Sequence, residues 1–268
     1  MAHFLPVDDP DDPRVAGYRD VRDRDLQGRS GLFMAEGEVV LRTLTAAGRF
    51  TLESVLIAAK RADALADLFA ALPQETPVYL AAQPVLDAIA GFPLHRGVLA
   101  LGRRRPLQAA DALLAACAGP AARVLALFGI GNHDNMGALF RNAAAFGAQA
   151  VLLDPACCDP LYRKAIRVSV GAALRTPYAR LSPDEDALAL LGRHGFEALA
   201  LTPSGAEPLH RLAPPPRAAL LLGAEGPGLA PALLARARTV AIPMAAGFDS
   251  LNVATAAAIA LHRLSTAG

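Results

Sequence analysis

Cysteine and lysine are scarce in this sequence, and net charge is almost absent. Three cysteines in 268 residues cannot build a disulfide framework. Cys157 and Cys158 are adjacent, Cys117 stands alone, and no CxxC spacing prepares a zinc site. They are expected to be small buried thiols in a reducing compartment. Lysine occurs only at Lys60 and Lys164, so 26 − 2 = 24 of the basic residues are arginine. Basic minus acidic residues is 26 − 25 = +1, which excludes a strong uniform field toward nucleic acid or an anionic membrane. Clustered arginines can still fork onto phosphates. The longest apolar stretches are interrupted at Gly119-Pro120, Arg123 or Gly129, short of the roughly 20 residues that a membrane span needs. The start, Met1-Ala2-His3-Phe4-Leu5-Pro6, lacks the basic and apolar regions of a signal peptide. A cytoplasmic protein without a membrane segment is expected.

What the chain does have is apolar mass. Hydrophobic residues make up 53% and charged residues 19%, enough to bury a sizeable core and to exclude general disorder. The length fits one large domain or two modest ones. Residues 1–30 alternate aspartate with arginine and read as a solvated arm. Strand-like runs follow at Leu32–Ala35, Leu52–Ala58, Val78–Leu80 and Val98–Leu101, with helical spacing over Val39–Leu44. The run Arg103-Arg104-Arg105-Pro106 is the best candidate boundary. The expected division is a first domain over 1–105, a linker over 106–122 and a second domain over 123–268. In that second part, short apolar strands (Val124–Phe128, Ala150–Leu153, Ala198–Leu201, Ala218–Leu222, Val240–Ile242) alternate with helical segments. That alternation predicts an α/β fold with a buried parallel sheet.

Ligands of such sheets bind at the C-terminal ends of the strands, and three of these loops are rich in glycine and amides. The first runs from Gly129 through Asn132 and Asn135 to Gly137 and opens a helix carrying Arg141. A dinucleotide fingerprint would need a glycine at Asp134. On the helix Gly137–Phe146, Leu139, Ala143 and Phe146 share the core face. Arg141 lies roughly 200° from Leu139 at about 100° per residue and points outward. The second loop is Gly223-Ala224-Glu225-Gly226-Pro227-Gly228, where glycines let backbone approach closely. The third is Ile242-Pro243-Met244 through Ser250-Leu251-Asn252-Val253. Ser250 is the expected N-cap of the helix that follows, and Leu251, Ala254, Ala258 and Leu261 its apolar stripe.

Asn135-x-Gly137-x3-Arg141-x-Ala143, Gly223-x-Glu225-Gly226-x-Gly228, and Ile242-Pro243-Met244 with Ser250-Leu251-Asn252-Val253 together resemble the three motifs of the SpoU (TrmH-like) RNA ribose methyltransferases of the SPOUT superfamily. The segment Arg163–Ala172 resembles the stretch that links them. Upstream, Phe33-Met34-Ala35-Glu36-Gly37 and His95-Arg96-Gly97-Val98 resemble the family's smaller α/β substrate-binding domain. Two positions depart from the pattern: Ala254 stands where a serine is common, and Gly131-Asn132-His133 where an Asp-Pro often precedes motif one. The resemblance implies a C-terminal trefoil knot holding S-adenosyl-L-methionine, with Gly223, Ile242 and Leu251 lining the cofactor. It implies Arg141 as the catalytic arginine, Glu225 anchoring the motif-two loop, and Asn135, Ser250 and Asn252 ordering the active-site loops. A homodimer, a structured RNA substrate and no metal are implied as well. The front domain favours rRNA over tRNA. Two alternatives stay open: a non-catalytic RNA-binding relative, and a nucleotide-binding oxidoreductase sharing the sheet.

Overall fold

The structure, a computed structural model, describes residues 3–19, 31–247 and 249–265. It divides into two compact units. The first comprises Met1–Pro106 with Leu161–Arg175, and the second Leu107–Pro160 with Thr176–Gly268.

In chain order the first unit begins with β1 (His3–Val7), β2 (Leu32–Glu36), α1 (Glu38–Ala47), β3 (Thr51–Ala58), α2 (Ala66–Ala70), β4 (Pro77–Ala81), α3 (Gln83–Ala90) and β5 (Val98–Arg103). Its sheet runs β1-β4-β3-β5-β2. The first three strands are mutually parallel, and β5 pairs antiparallel with both β3 and β2. The expected solvated arm is instead part of this fold as far as it is described. β1 is an edge strand, and Val15 and Tyr18 are buried. Tyr18 Oη and Ser54 Oγ lie 2.6 Å apart, so the buried phenol has its hydrogen-bond partner. Residues 20–30 of that expectation fall outside the described residues. The basic run at 103–105 keeps Arg103 and Arg105 exposed while holding them to the fold: Arg103 pairs with Glu53 at 2.6 Å, and Arg105 donates to Gly48 O at 3.3 Å.

The second unit contains α4 (Ala110–Ala115), β6 (Ala122–Leu127), α5 (His133–Ala145) and β7 (Ala150–Leu153). The chain then returns to the first unit with α6 (Arg163–Val168) and α7 (Ala172–Arg175). It finishes in the second unit with β8 (Tyr178–Arg180), α8 (Ala187–Arg193), β9 (Glu197–Leu201), β10 (Glu207–Pro208), β11 (Arg217–Leu222), α9 (Pro231–Leu234), β12 (Arg238–Ala241) and α10 (Val253–Ser265).

Two of these placements differ from the sequence expectation. The segment 106–122 carries α4, whose Leu113 and Leu114 are buried in the core of the second unit, so a helix stands where a linker was expected. Residues 161–175 leave the second domain because α6 packs on β2 and α7 on α1. Ile166, Ala173 and Leu174 find their burial there.

The second sheet has the order β10-β12-β9-β11-β6-β7-β8, and all its pairings are parallel. Near-continuous apolar strands such as Ala219-Leu220-Leu221-Leu222 suit a sheet covered on both faces. From β6 the chain moves outward to β7, and from β11 it moves to the opposite side to β12. That reversal is a topological switch point, where a crevice opens at the carboxyl ends of the strands. Register sets those ends level: Leu127 pairs with Leu222, Ala200 with Leu221, and Leu201 with Val240.

Candidate active site

Three loops leave the level strand ends together, and one buried side chain joins them. Asn132 caps α5, its Oδ1 accepting from Asp134 N at 2.8 Å and Asn135 N at 3.3 Å, so the helix starts four residues earlier than Gly137. This places Asn135, only 7% exposed, on the first turn. Its Nδ2 donates to Glu225 Oε1 on the β11 loop, and its Oδ1 accepts from Asn252 Nδ2 at 2.9 Å. Asn252 in turn caps α10, its Oδ1 accepting from Ala254 N at 2.9 Å and Thr255 N at 3.3 Å. A primary amide is the side chain that donates at one end and accepts at the other, which is why an asparagine can tie the two loops.

Asn252 thus takes the capping role expected of Ser250. Ser250 is exposed and its hydroxyl donates to Asp249 Oδ1 at 3.3 Å. The buried stripe of α10 is Ala254, Ala257, Ala260, Leu261 and Leu264, so Leu251 and Ala258 are not in it. Those alanines let α10 approach α5, where Asn142 Nδ2 donates to Ala254 O at 2.7 Å. On α5, Leu139 and Ala143 are fully buried, while Phe146 is half-buried and packs edge-on against His262.

The β11 and β12 loops line a pocket of about 600 Å³, inside the range of small-molecule sites. Gly223, Glu225, Ile242, Ser250, Leu251 and Asn252 all line it. So do Leu201, Thr202 and Pro203 at the end of β9, which sequence reasoning missed. Their signal was their position directly after an apolar strand in a parallel sheet. Asp249 and Glu225 are its charged lining residues among those described. Gly223 is required by the loop itself: a Cβ there would lie 2.2 Å from Gly228 C and 2.4 Å from Leu229 N. The loop closes with Gly228 N donating to Ala224 O at 3.0 Å.

A brace on the first loop was also missed. Asp154 Oδ1 accepts from Gly129 N at 3.0 Å and Cys157 N at 2.9 Å. Arg180 donates to the carbonyls of Asp154 and Cys157 at 3.1 and 3.0 Å. The Cys157 thiol lies between Ile130 N and Leu127 O, and burial pushes its pKa up to about 12. It packs and does not react. Arg141 is exposed on α5 as its position predicts, makes no hydrogen bond or ion pair among the described residues, and does not line the pocket. The structure therefore brings together Asn135, Glu225 and Asn252, sets Gly223, Ile242, Ser250 and Leu251 around the pocket, and leaves Arg141 outside it. Among the described residues no group of three or more His, Cys, Asp or Glu is placed to hold a metal. No helix among them is long and apolar enough to cross a membrane.

This architecture defines a parallel α/β domain with a pocket at the carboxyl ends of β9, β11 and β12, two of whose loops are tied to the β6 loop by side-chain amides. Residues 122–262 match the SpoU rRNA Methylase family, and the chain belongs to that family of RNA methyltransferases. An uncharacterized tRNA/rRNA methyltransferase of Mycobacterium tuberculosis is 41% identical over 276 residues, covering 98% of this chain and 92% of that protein. The 23S rRNA (guanosine-2'-O-)-methyltransferase RlmB of Acinetobacter baylyi is 32% identical over 191 residues, covering 69% of this chain and 76% of its own. In fold, the chain is similar to an AdoMet-bound rRNA methyltransferase from Sinorhizobium meliloti, with a TM-score of 0.83 at 22% identity over 97% of each chain.

Proposed function

We propose that the chain is an S-adenosylmethionine-dependent methyltransferase acting on a ribose 2'-hydroxyl of RNA, with ribosomal RNA favoured over transfer RNA. The observation that carries this reading is the pocket of about 600 Å³ lined by the second and third family motifs, to which Asn135 of the first is tied by hydrogen bonds. Its residues fit the donor. Gly223, Ile242 and Leu251 line the pocket, Leu201, Leu222 and Val253 supply apolar walls, and Asp249 and Glu225 suit a ligand bearing positive charge.

When bound, S-adenosylmethionine supplies a methyl group on a positively charged sulfur, open to attack by an oxygen. Such chemistry creates little net charge, so the protein's task is alignment of the reacting atoms. Asn135, Glu225 and Asn252 hold the loops in register through their hydrogen bonds. Arg141 cannot act as a base, because its guanidinium stays protonated. Its role is a forked grip on the RNA phosphate beside the target ribose, which orients the hydroxyl. The chain between β11 and α10 is read as the trefoil knot of the family, and the first unit as the RNA-binding domain. A homodimer completes the reading: Leu251 and Ile259 are 40% and 41% exposed near and on α10, apolar surface that a second copy would cover. The protein acts in the cytoplasm.

Calorimetry tests the donor site. S-adenosylmethionine should bind the wild-type chain, and NAD should not. Because a Cβ at Gly223 strikes loop backbone, even Gly223→Ala should displace the loop and weaken donor binding by about tenfold or more, with the circular dichroism spectrum preserved. Unchanged affinity in that variant would remove the β11 loop from the site.

A further inference from the structure

Three sequence segments that the pocket does not use meet in the first unit. Glu36 ends β2 and pairs in register with Leu99 of β5, and Gly37 N donates to Val98 O at 3.0 Å. Gly37 has φ of +95°, and a Cβ there would lie 3.1 Å from Arg96 Cδ. The Arg96 side chain therefore crosses the backbone beside Glu36. Helix α6 packs on β2, and its first residue, Arg163, holds its guanidinium 4.7 Å from the Phe92 ring centroid. Segment 161–175 contains Arg163, Lys164, Arg167 and Arg175 and no acidic residue.

Glu36 is the unexplained group. It is 8% exposed, and its Oε2 is buried with no hydrogen-bond partner among the described residues. Three other acids of this unit have partners: Glu38 in Arg61, Glu53 in Arg103 and Asp87 in Leu94 N. A buried carboxylate oxygen without a donor is costly, and its retention calls for a functional account. A carboxylate only accepts, so a ligand that meets it must present N–H or O–H groups. An arginine stacked on an aromatic ring offers a flat face on which an unpaired base can lie.

We propose that Glu36, Arg96 and the Arg163–Phe92 stack form a nucleotide site that takes an unpaired guanine of the RNA. This rests on the chain being an RNA methyltransferase and names what its first unit reads. Guanine's Watson–Crick edge carries two adjacent donors, the ring N–H and the exocyclic amine, which match the two oxygens of a carboxylate. Adenine and cytosine set their amine beside an acceptor nitrogen, and uracil's N–H lies between two carbonyls. The terminal torsion of glutamate is soft, so Glu36 can turn both oxygens to the base. Arg96 meets the nucleotide's phosphate.

The test uses the full chain and short uridine-rich single strands carrying one guanine, inosine or adenine, read by fluorescence anisotropy at fixed salt. The guanine strand should bind about tenfold or more tighter than the adenine strand. Inosine, which lacks the exocyclic amine, should fall between. Glu36→Gln should erase the preference while the melting temperature stays level or rises, because an unpaired buried charge has gone. Arg163→Ala should weaken the guanine strand without touching the carboxylate, and serves if Glu36→Gln does not fold. Equal binding of guanine and adenine strands, or a lower melting temperature in folded Glu36→Gln, would overturn the proposal. The second result would mean that the carboxylate serves the fold. S-adenosylmethionine calorimetry on the same samples separates the two readings. Guanine preference without donor binding sinks the methyltransferase reading, and donor binding without guanine preference sinks this site.

Discussion

Arg141→Ala is expected to slow methyl transfer by about a hundredfold or more while donor affinity stays near that of the wild type. The residue is exposed, makes no hydrogen bond or ion pair among the described residues, and lies outside the pocket lining. Its removal should therefore leave the donor's surroundings intact. A positioned phosphate clamp contributes about 3 kcal/mol, roughly a hundredfold in rate at 1.36 kcal/mol per factor of ten. Arg141→Lys keeps the charge but loses the planar fork and should recover part of the rate. Single-turnover methylation at saturating RNA measures this directly. Wild-type rates in both variants would make Arg141 an ordinary solvated arginine, and equal losses of rate and donor affinity would move it into the pocket.

The second large effect belongs to Asn135. In Asn135→Asp the amide donor to Glu225 is lost and two carboxylates face each other across a part-buried contact, the Asn135 side buried and Glu225 exposed. Leaving such groups unsatisfied costs about 1–3 kcal/mol, and repulsion adds to it. Unfolding should become easier and donor affinity should fall together, since the same bonds order the β11 and β12 loops. The sign of the pH dependence is distinctive. Facing carboxylates raise the pKa of one of them above its unfolded value. A proton taken up in the folded state restores a donor, so the variant regains stability as pH falls through that raised pKa and loses it as pH rises. Wild type, with an amide at the position, lacks this recovery. A thermal-melting series against pH reads the difference, and parallel curves for the two proteins would break the proposed pairing. A double-mutant cycle with Asn252→Ala should show coupling, because Asn252 donates to the same side chain.

The pocket was legible because parallel strands buried on both faces read as unbroken apolar runs, and each is followed by a loop whose glycines and amides have no packing reason to cluster. β6, β11 and β12 were found this way. Long-range choices were not legible. Ser250 and Asn252 are both cap-forming residue types, and Asn252 is the one that caps because Asn135 fixes its amide from across the sheet. Residues 161–175 carry no local mark of packing on β2 and α1, where Ile166 and Leu174 are buried. β1 hides beside an aspartate-rich stretch whose Asp12 accepts from Arg14 N at 2.8 Å in a tight turn. The close approach that the glycines of the β11 loop permit is, at Gly223, the packing of the loop on its own Gly228 and Leu229.

The central claim is transfer of a methyl group to a ribose hydroxyl. Its direct test is incubation of the protein with unmodified ribosomal RNA and S-adenosylmethionine carrying an isotopically labelled methyl group. The RNA is then digested to nucleosides and analysed by mass spectrometry. A labelled 2'-O-methylnucleoside whose fragmentation leaves the base unlabelled is expected, and its loss with Arg141→Ala. Label on the base, or no label in any RNA despite tight donor binding, would contradict that claim.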